Sequence, residues 1–355
     1  VDALISKEKR GNIRSMKIRG SNKNYFVYAD RMLGVEVNDS YFRWVYGRNA
    51  PAVDKATFDA CKVRFFITFA DDHQIQLPTS DVERFQCFSW NRENKTLCYR
   101  RKLLGAHIAY SVSIRGNEVS IILGRFYANL MHYRFMNLHG AYYLLSDLAN
   151  ILLLRNGYVT LYCAAALHRE SGRSVALFAA PNTGKSYTVQ RLCETGDYSI
   201  IAEDIAIADE EGRITGCPWT NSYRKGALRK WFDLDSGGTF AHRHMHNYTL
   251  KDKIASGQSY LSDVILLSRM QDKHKADQSE IEKKILILNK YLFCGYNSPI
   301  VNVLAFFDDE FNCDWECTEK QILLSIFSRS VVTEISLDSG DFFPLVKNQI
   351  ESGNM

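Results

Sequence analysis

The sequence predicts an α/β fold with a β-rich N-terminal part, on three observations. Ser174-Val-Ala-Leu-Phe-Ala-Ala180 is a short apolar run with the length and composition of a buried parallel strand. A helical pattern follows from Ser186 to about Glu194, with Val189 and Leu192 on one face and Gly196 where a C-terminal cap belongs. Upstream, from Tyr25 to Leu123, short runs of β-branched and aromatic residues dominate instead.

Taken in order, Lys7 to Lys23 is rich in Lys, Arg, Gly, Ser and Asn, so residues 1–23 read as a flexible basic arm. Strands are expected at Tyr25–Tyr28, Val63–Phe69, Ala109–Ile114 and Val119–Leu123, with Arg115-Gly-Asn-Glu118 as a hairpin turn between the last two. Tyr41, Trp44, Tyr46 and Trp90 read as core or turn packing rather than a binding cage. Ala141 to Leu154 is a strongly apolar helix ended by Asn156-Gly157, and the domain boundary is placed just before it, giving residues 1–130 and 131–355. Val159 to Leu167 reads as one apolar strand, His168 to Arg173 as the turn into the Ser174 strand, and Tyr198 to Ala202 as the strand after the helix, ending on Glu203-Asp204. Asp209-Glu-Glu-Gly-Arg213 is a polar turn, Tyr260–Leu267 another buried strand, and Arg269 to Lys290 a charged loop followed by a helix carrying Ile281, Ile285 and Leu288.

Composition narrows the function classes. A chain of 355 residues with 46% hydrophobic content can bury one large or two moderate cores, and a net charge of +4 is too small to argue for nucleic acid. No basic stripe interleaved with aromatics accompanies a known nucleic-acid module. No apolar run approaches the roughly 18 residues that span a bilayer, and Val1 to Lys17 lacks the apolar centre of a secretory signal. Nine singly scattered cysteines give no disulfide framework, which points to a reducing cytoplasm. His242, His244 and His246 alternate in a loop-like stretch, and Cys313 and Cys317 form a lone pair with Cys294 upstream. Neither has the spacing of an established metal motif.

The chemistry concentrates after the Ser174 strand. Pro181-Asn-Thr-Gly-Lys-Ser186 reads as a P-loop. Backbone N–H groups wrap phosphate oxygens, Lys185 reaches the β- and γ-phosphates, and the Ser186 hydroxyl ligates Mg²⁺ at a helix N-terminus. The nucleotide-binding set is Pro181, Asn182, Thr183, Gly184, Lys185, Ser186 and Tyr187. Ala179 and Asn182 stand where the pattern prefers glycine; alanine is small, and asparagine tolerates left-handed geometry. Ser186 and Asp204 are the expected metal ligands and Glu203 the base, the two acidic roles being exchangeable. In Tyr223 to Trp231, four positive charges gather, and Arg224 and Lys225 are candidates for gripping phosphate or an acidic acceptor.

Over about residues 140–270 these motifs resemble the catalytic domain of HPr kinase/phosphorylase and its relatives, P-loop kinases similar in fold to phosphoenolpyruvate carboxykinase. The relatives include kinases that phosphorylate lasso peptide precursors. The residues carrying the likeness are Leu161 to Leu167, the Gly172 turn, Thr183-Gly-Lys-Ser186 and Ile200-Ile-Ala-Glu-Asp-Ile205. The resemblance implies ATP and Mg²⁺ use and phosphoryl transfer to a hydroxyl, commonly a serine. The chain departs from the family in having Cys163 where a histidine is usual and Glu203 for the first of two aspartates. The acceptor is a peptide, a protein or a small-molecule hydroxyl, and the N-terminal domain is the candidate for recognising it. No nucleic-acid or membrane partner is expected, and the oligomeric state is open. The competing reading is a nucleotide-binding regulatory module with little catalysis.

Overall fold

A computed structural model describes residues 23–38, 44, 46, 50–71, 75, 82–103, 105–130, 141–216, 254–255, 257–269, 276–290, 298–338 and 340–352. The chain is a mixed α/β protein with two mixed sheets. The first contains β1 (Asn24–Tyr28), β2 (Leu33–Val37), β3 (Ala52–Val53), β4 (Val63–Ala70), β5 (Val82–Phe85), β6 (Phe88–Asn91), β7 (Thr96–Leu103), β8 (Ala106–Arg115) and β9 (Glu118–Gly124). Their order is β3-β1-β2-β4-β9-β8-β7-β6-β5. Val63, Phe65 and Ile67 alternate into the core from β4, the period a half-buried strand requires. The expected hairpin closes β8 onto β9 with Arg115 opposite Glu118. The β2–β4 and β4–β9 pairings are parallel, so these strands are joined by crossovers. Two short helices, α1 (Lys55–Asp59) and α2 (Arg125–Leu130), flank this sheet, and α1 starts where the Asp54 side chain accepts from the Thr57 N–H at 2.7 Å.

The helix α3 (Ala141–Arg155) is apolar around most of its circumference and correspondingly buried, from Leu144 through Leu154. It packs against the second sheet and joins the core that also holds Trp44, Tyr46 and Phe65. Trp44 Nε1 donates to Ser146 Oγ at 3.1 Å, and the Tyr46 hydroxyl meets Thr160 Oγ1 at 3.3 Å. The aromatic residues Trp44, Tyr46 and Trp90 are thus core packing, each 3% exposed or less.

The second sheet contains β10 (Tyr158–Leu161), β11 (Ala164–His168), β12 (Ser174–Ala179), β13 (Tyr198–Ala202), β14 (Ala206–Asp209), β15 (Arg213–Gly216), β16 (Ser259–Ser268) and β17 (Val331–Ser336). Its path is β10-β14-β15-β16-β12-β11-β13, with β17 on β16. The remaining helices are α4 (Lys185–Glu194), α5 (Gln278–Asn289), α6 (Pro299–Phe307), α7 (Trp315–Arg329) and α8 (Phe343–Ser352). Ile281 and Ile285 of α5 are buried, and Leu288 is half-buried.

Two expectations are corrected here. β12 is fully buried but is parallel only to β16, and it runs antiparallel to β11. The expected single strand Val159–Leu167 is two strands, interrupted at Tyr162-Cys163. Leu161 faces Ala206 and Ala165 faces Ala202, so residues 162–164 lie opposite Glu203, Asp204 and Ile205. Both members of this antiparallel ribbon open at the same level. A continuous apolar run cannot reveal such a break, because the cause is tertiary. Asn289, at the end of α5, donates from Nδ2 to Thr160 O at 2.9 Å and accepts the Tyr162 N–H at Oδ1 at 2.7 Å. Its side-chain amide thereby occupies the place of a neighbouring strand's peptide group.

Within α3, Asp147 is 3% exposed, its Oδ1 has no hydrogen-bond partner, and Ser298 holds the carboxyl by a side-chain hydrogen bond. Burial pushes its pKa up to about 7, only partly opposed by that bond. A carboxyl that titrates higher when folded than unfolded favours the folded state at low pH, and this contribution is lost as pH rises from about 4 towards 7. Urea unfolding at pH about 5 and about 8 is expected to show Asp147→Asn gaining about 2 kcal/mol on the wild type between the two conditions. Parallel pH profiles for the two proteins would contradict it.

Candidate functional site

At the carboxyl end of β12 the chain turns through Ala180-Pro-Asn-Thr183, closed by the Thr183 N–H donating to Ala180 O at 3.3 Å. Asn182 has φ 65°, the left-handed value that a type II turn with Pro at its first central position requires at the second. The asparagine therefore does here what glycine does elsewhere. Gly184 has φ 120°, outside the range of ordinary side-chain-bearing residues, and α4 begins at the next residue without a side-chain cap at Gly184. The first-turn N–H groups of an α-helix have no intrahelical acceptor, so the uncapped start of α4 favours a negatively charged ligand. The helix ends as expected, with Thr195 as cap and Gly196 at φ 92°.

Lys185 is 5% exposed. Its Nζ lies 3.6 Å from Asp204 Oδ1 and 3.9 Å from the centre of the Tyr162 ring. A buried ammonium needs such partners, since desolvation without them is costly. The Ser186 hydroxyl donates to the main-chain carbonyl of Glu203 at 3.0 Å, and Thr188 Oγ1 donates to Gly184 O at 3.0 Å. The structure thus brings Lys185, Ser186, Glu203 and Asp204 together where the 162–164 and 203–205 breaks face each other. The two acidic residues differ: Glu203 is 1% exposed, whereas the Asp204 side chain is 33% exposed. Tyr187 is exposed on the first turn of α4.

Cys163 is fully buried, and burial pushes its thiol up to about 12; Lys185 opposes that rise and Asp204 adds to it. The thiol therefore stays protonated at neutral pH and cannot serve as a base. Ser186 and Asp204 present hard oxygen donors. Mg²⁺ bound beside a nucleotide takes one or two protein ligands and completes its shell with phosphate oxygens and water, so this pair fits it.

Two further residues frame the loop and escaped sequence reasoning. Arg269, one residue past β16, donates from Nε and Nη2 to Thr183 O at 3.3 Å each and from Nη2 to Gly340 O at 2.9 Å. Its guanidinium sits 4.3 Å from the Phe342 ring centre. Its place at the carboxyl end of the strand parallel to β12 is where ligand sites collect, but that pairing is tertiary and gives no local sequence signal. Tyr162 had none either. Arg224, Lys225, His242, His244, His246 and Cys294 lie outside the described residues. Cys313 and Cys317 are exposed free thiols, and among the described residues no three His, Cys, Asp or Glu side chains gather to hold a metal.

Comparison with known proteins adds no relative: no protein-family model matches the chain, and no curated protein is significantly similar to it.

Proposed function

We propose that this chain is an ATP- and Mg²⁺-dependent kinase of the P-loop type, similar in its catalytic half to HPr kinase, that transfers the γ-phosphoryl group to a hydroxyl of a peptide or protein, most simply a serine. One observation carries the reading: a left-handed turn after a buried strand delivers a buried lysine to the Asp204 carboxylate and a serine hydroxyl to the adjoining Glu203 carbonyl, at an uncapped helix start. In this reading residues 181–187 cradle the nucleotide, Lys185 meets the β- and γ-phosphates, and Ser186 with Asp204 holds the cation. Bound Mg²⁺ would neutralise charge on the phosphates and orient the γ-phosphoryl group. The greater exposure of Asp204 supports it as the carboxylate that reaches the cation, with the buried Glu203 left as the candidate base. Acceptor recognition is assigned to residues before about 130, and Arg224 and Lys225 to contacts with phosphate or acceptor.

The seven free cysteines among the described residues suit a reducing compartment such as the cytoplasm. No helix of the described residues is long and apolar enough to cross a membrane. The burial of Glu203 favours one competitor, a module that binds nucleotide without turnover. Incubation with γ-labelled ATP, Mg²⁺ and serine-containing peptides separates the two. The kinase reading expects label on a peptide and ADP release above a Lys185→Ala control, whose ATP affinity should be about a hundredfold weaker. Binding without label or ADP release would leave only the non-catalytic module.

A further inference from the structure

Lys185 also meets a residue that belongs to neither the loop nor the acidic pair. Tyr162 is 8% exposed, and its ring centre lies 3.9 Å from Lys185 Nζ. The ring reaches this position because the chain leaves β10 at Leu161 and resumes strand pairing only at Ala164. That interruption is fixed from outside the site. Asn289 satisfies Thr160 O and the Tyr162 N–H on either side of Leu161, and its Nδ2 also donates to Glu319 Oε1 at 2.7 Å, which sets the orientation of the amide. Asn289 is 2% and Glu319 6% exposed, so the clamp is buried and rigid.

We propose that Tyr162 is a positioning residue for the phosphate-binding lysine: its ring face holds the Lys185 ammonium at the mouth of the loop, and the Asn289–Glu319 clamp holds the ring. The role rests on the reading of Lys185 as the residue that meets nucleotide phosphates. A cation over an aromatic face is stabilised by the ring quadrupole without neutralising its charge, so the lysine is fixed in place yet remains fully available to an anion. The Asp204 ion pair alone would allow Nζ to follow the carboxylate when a cation draws it away. The ring supplies the second, charge-preserving contact.

The test uses Tyr162→Leu, which removes the ring, and Tyr162→Phe, which keeps it. Two readouts are taken on the full chain: the acylation rate of Lys185 by an N-hydroxysuccinimide ester without nucleotide, followed by peptide mass spectrometry, and the dissociation constant for ATP with Mg²⁺. The proposal expects Tyr162→Leu to raise Lys185 acylation several-fold and to weaken ATP binding about tenfold, with Tyr162→Phe restoring most of both. Acylation of Lys185 at the wild-type rate in Tyr162→Leu would overturn it, as would a Tyr162→Phe protein as impaired as Tyr162→Leu. Should Tyr162→Leu fail to fold, Tyr162→Met replaces it, since the flexible thioether fills a similar volume without a ring. If the wild type binds no ATP, the nucleotide reading falls, while the acylation rates still decide whether the ring holds the lysine.

Discussion

Asp204→Asn is expected to lower Mg²⁺-dependent phosphoryl transfer on the order of a thousandfold while leaving ATP binding in EDTA intact or tighter. The asymmetry follows from the pair at 3.6 Å between Lys185 Nζ and Asp204 Oδ1. Before ligand arrives, the lysine and the carboxylate neutralise each other. In the proposed kinase a phosphate would take the lysine and a cation the carboxylate, so each ligand would ease entry of the other. Asparagine removes the charge that holds the cation, which forfeits several kcal/mol of stabilisation of the transferring group. It also releases Lys185 and removes a carboxylate that repels phosphate, so metal-free affinity should not fall. Steady-state kinetics with varied Mg²⁺, set beside calorimetry in EDTA, reads both effects. Retained Mg²⁺-dependent turnover would remove Asp204 from the cation, and a loss of metal-free affinity would contradict the pairing.

The largest effect on stability is expected from Gly216→Ala. A Cβ built at Gly216 would stand 1.7 Å from the carbonyl oxygen and 2.3 Å from the carbonyl carbon of Ile201. The obstacle is backbone, so no rotamer change relieves it, and β15 and β13 must separate. Ile201 lies two residues before Glu203, and Gly216 is paired with Ala206 just beyond Ile205. The strain therefore falls on the segment that presents the acidic pair. A loss of about 4 kcal/mol and a melting temperature about 10 °C lower are expected, near the upper end for overpacking. Gly196→Ala is the control: φ is 92° there but nothing stands within 4 Å of the added Cβ, so only the left-handed cost of about 1 kcal/mol applies. Equal melting temperatures for the two variants would contradict the close approach.

How much was legible in the sequence depends on how local each cause is. The strand before the loop, the positive φ of Asn182, the helix and its Gly196 terminus are set by residues within one or two turns of each other, and the sequence pattern reveals them. The arrival of Asp204 at Lys185 follows from strand–loop–helix–strand order and was also foreseeable. The break at Tyr162 was not, because its apolar run is uninterrupted and its cause is Asn289, well over a hundred residues downstream. The same holds for Arg269, whose contact with Thr183 depends on the parallel β12–β16 pairing. The mixed direction of the second sheet was equally hidden, since a fully buried strand has the same composition whether its neighbours run parallel or antiparallel. The burial of Glu203 beside a more exposed Asp204 required knowing which way the chain turns after Ala202.

The central claim is that residues 181–186 wrap the phosphate tail of a nucleotide with Lys185 at its mouth. Isothermal titration of the wild-type chain with ATP in the presence of Mg²⁺ tests it most directly. A saturable heat of one nucleotide per chain, with affinity about a hundredfold weaker in Lys185→Ala, is the predicted result. No heat with the wild type, or an isotherm that Lys185→Ala leaves unchanged, would contradict it.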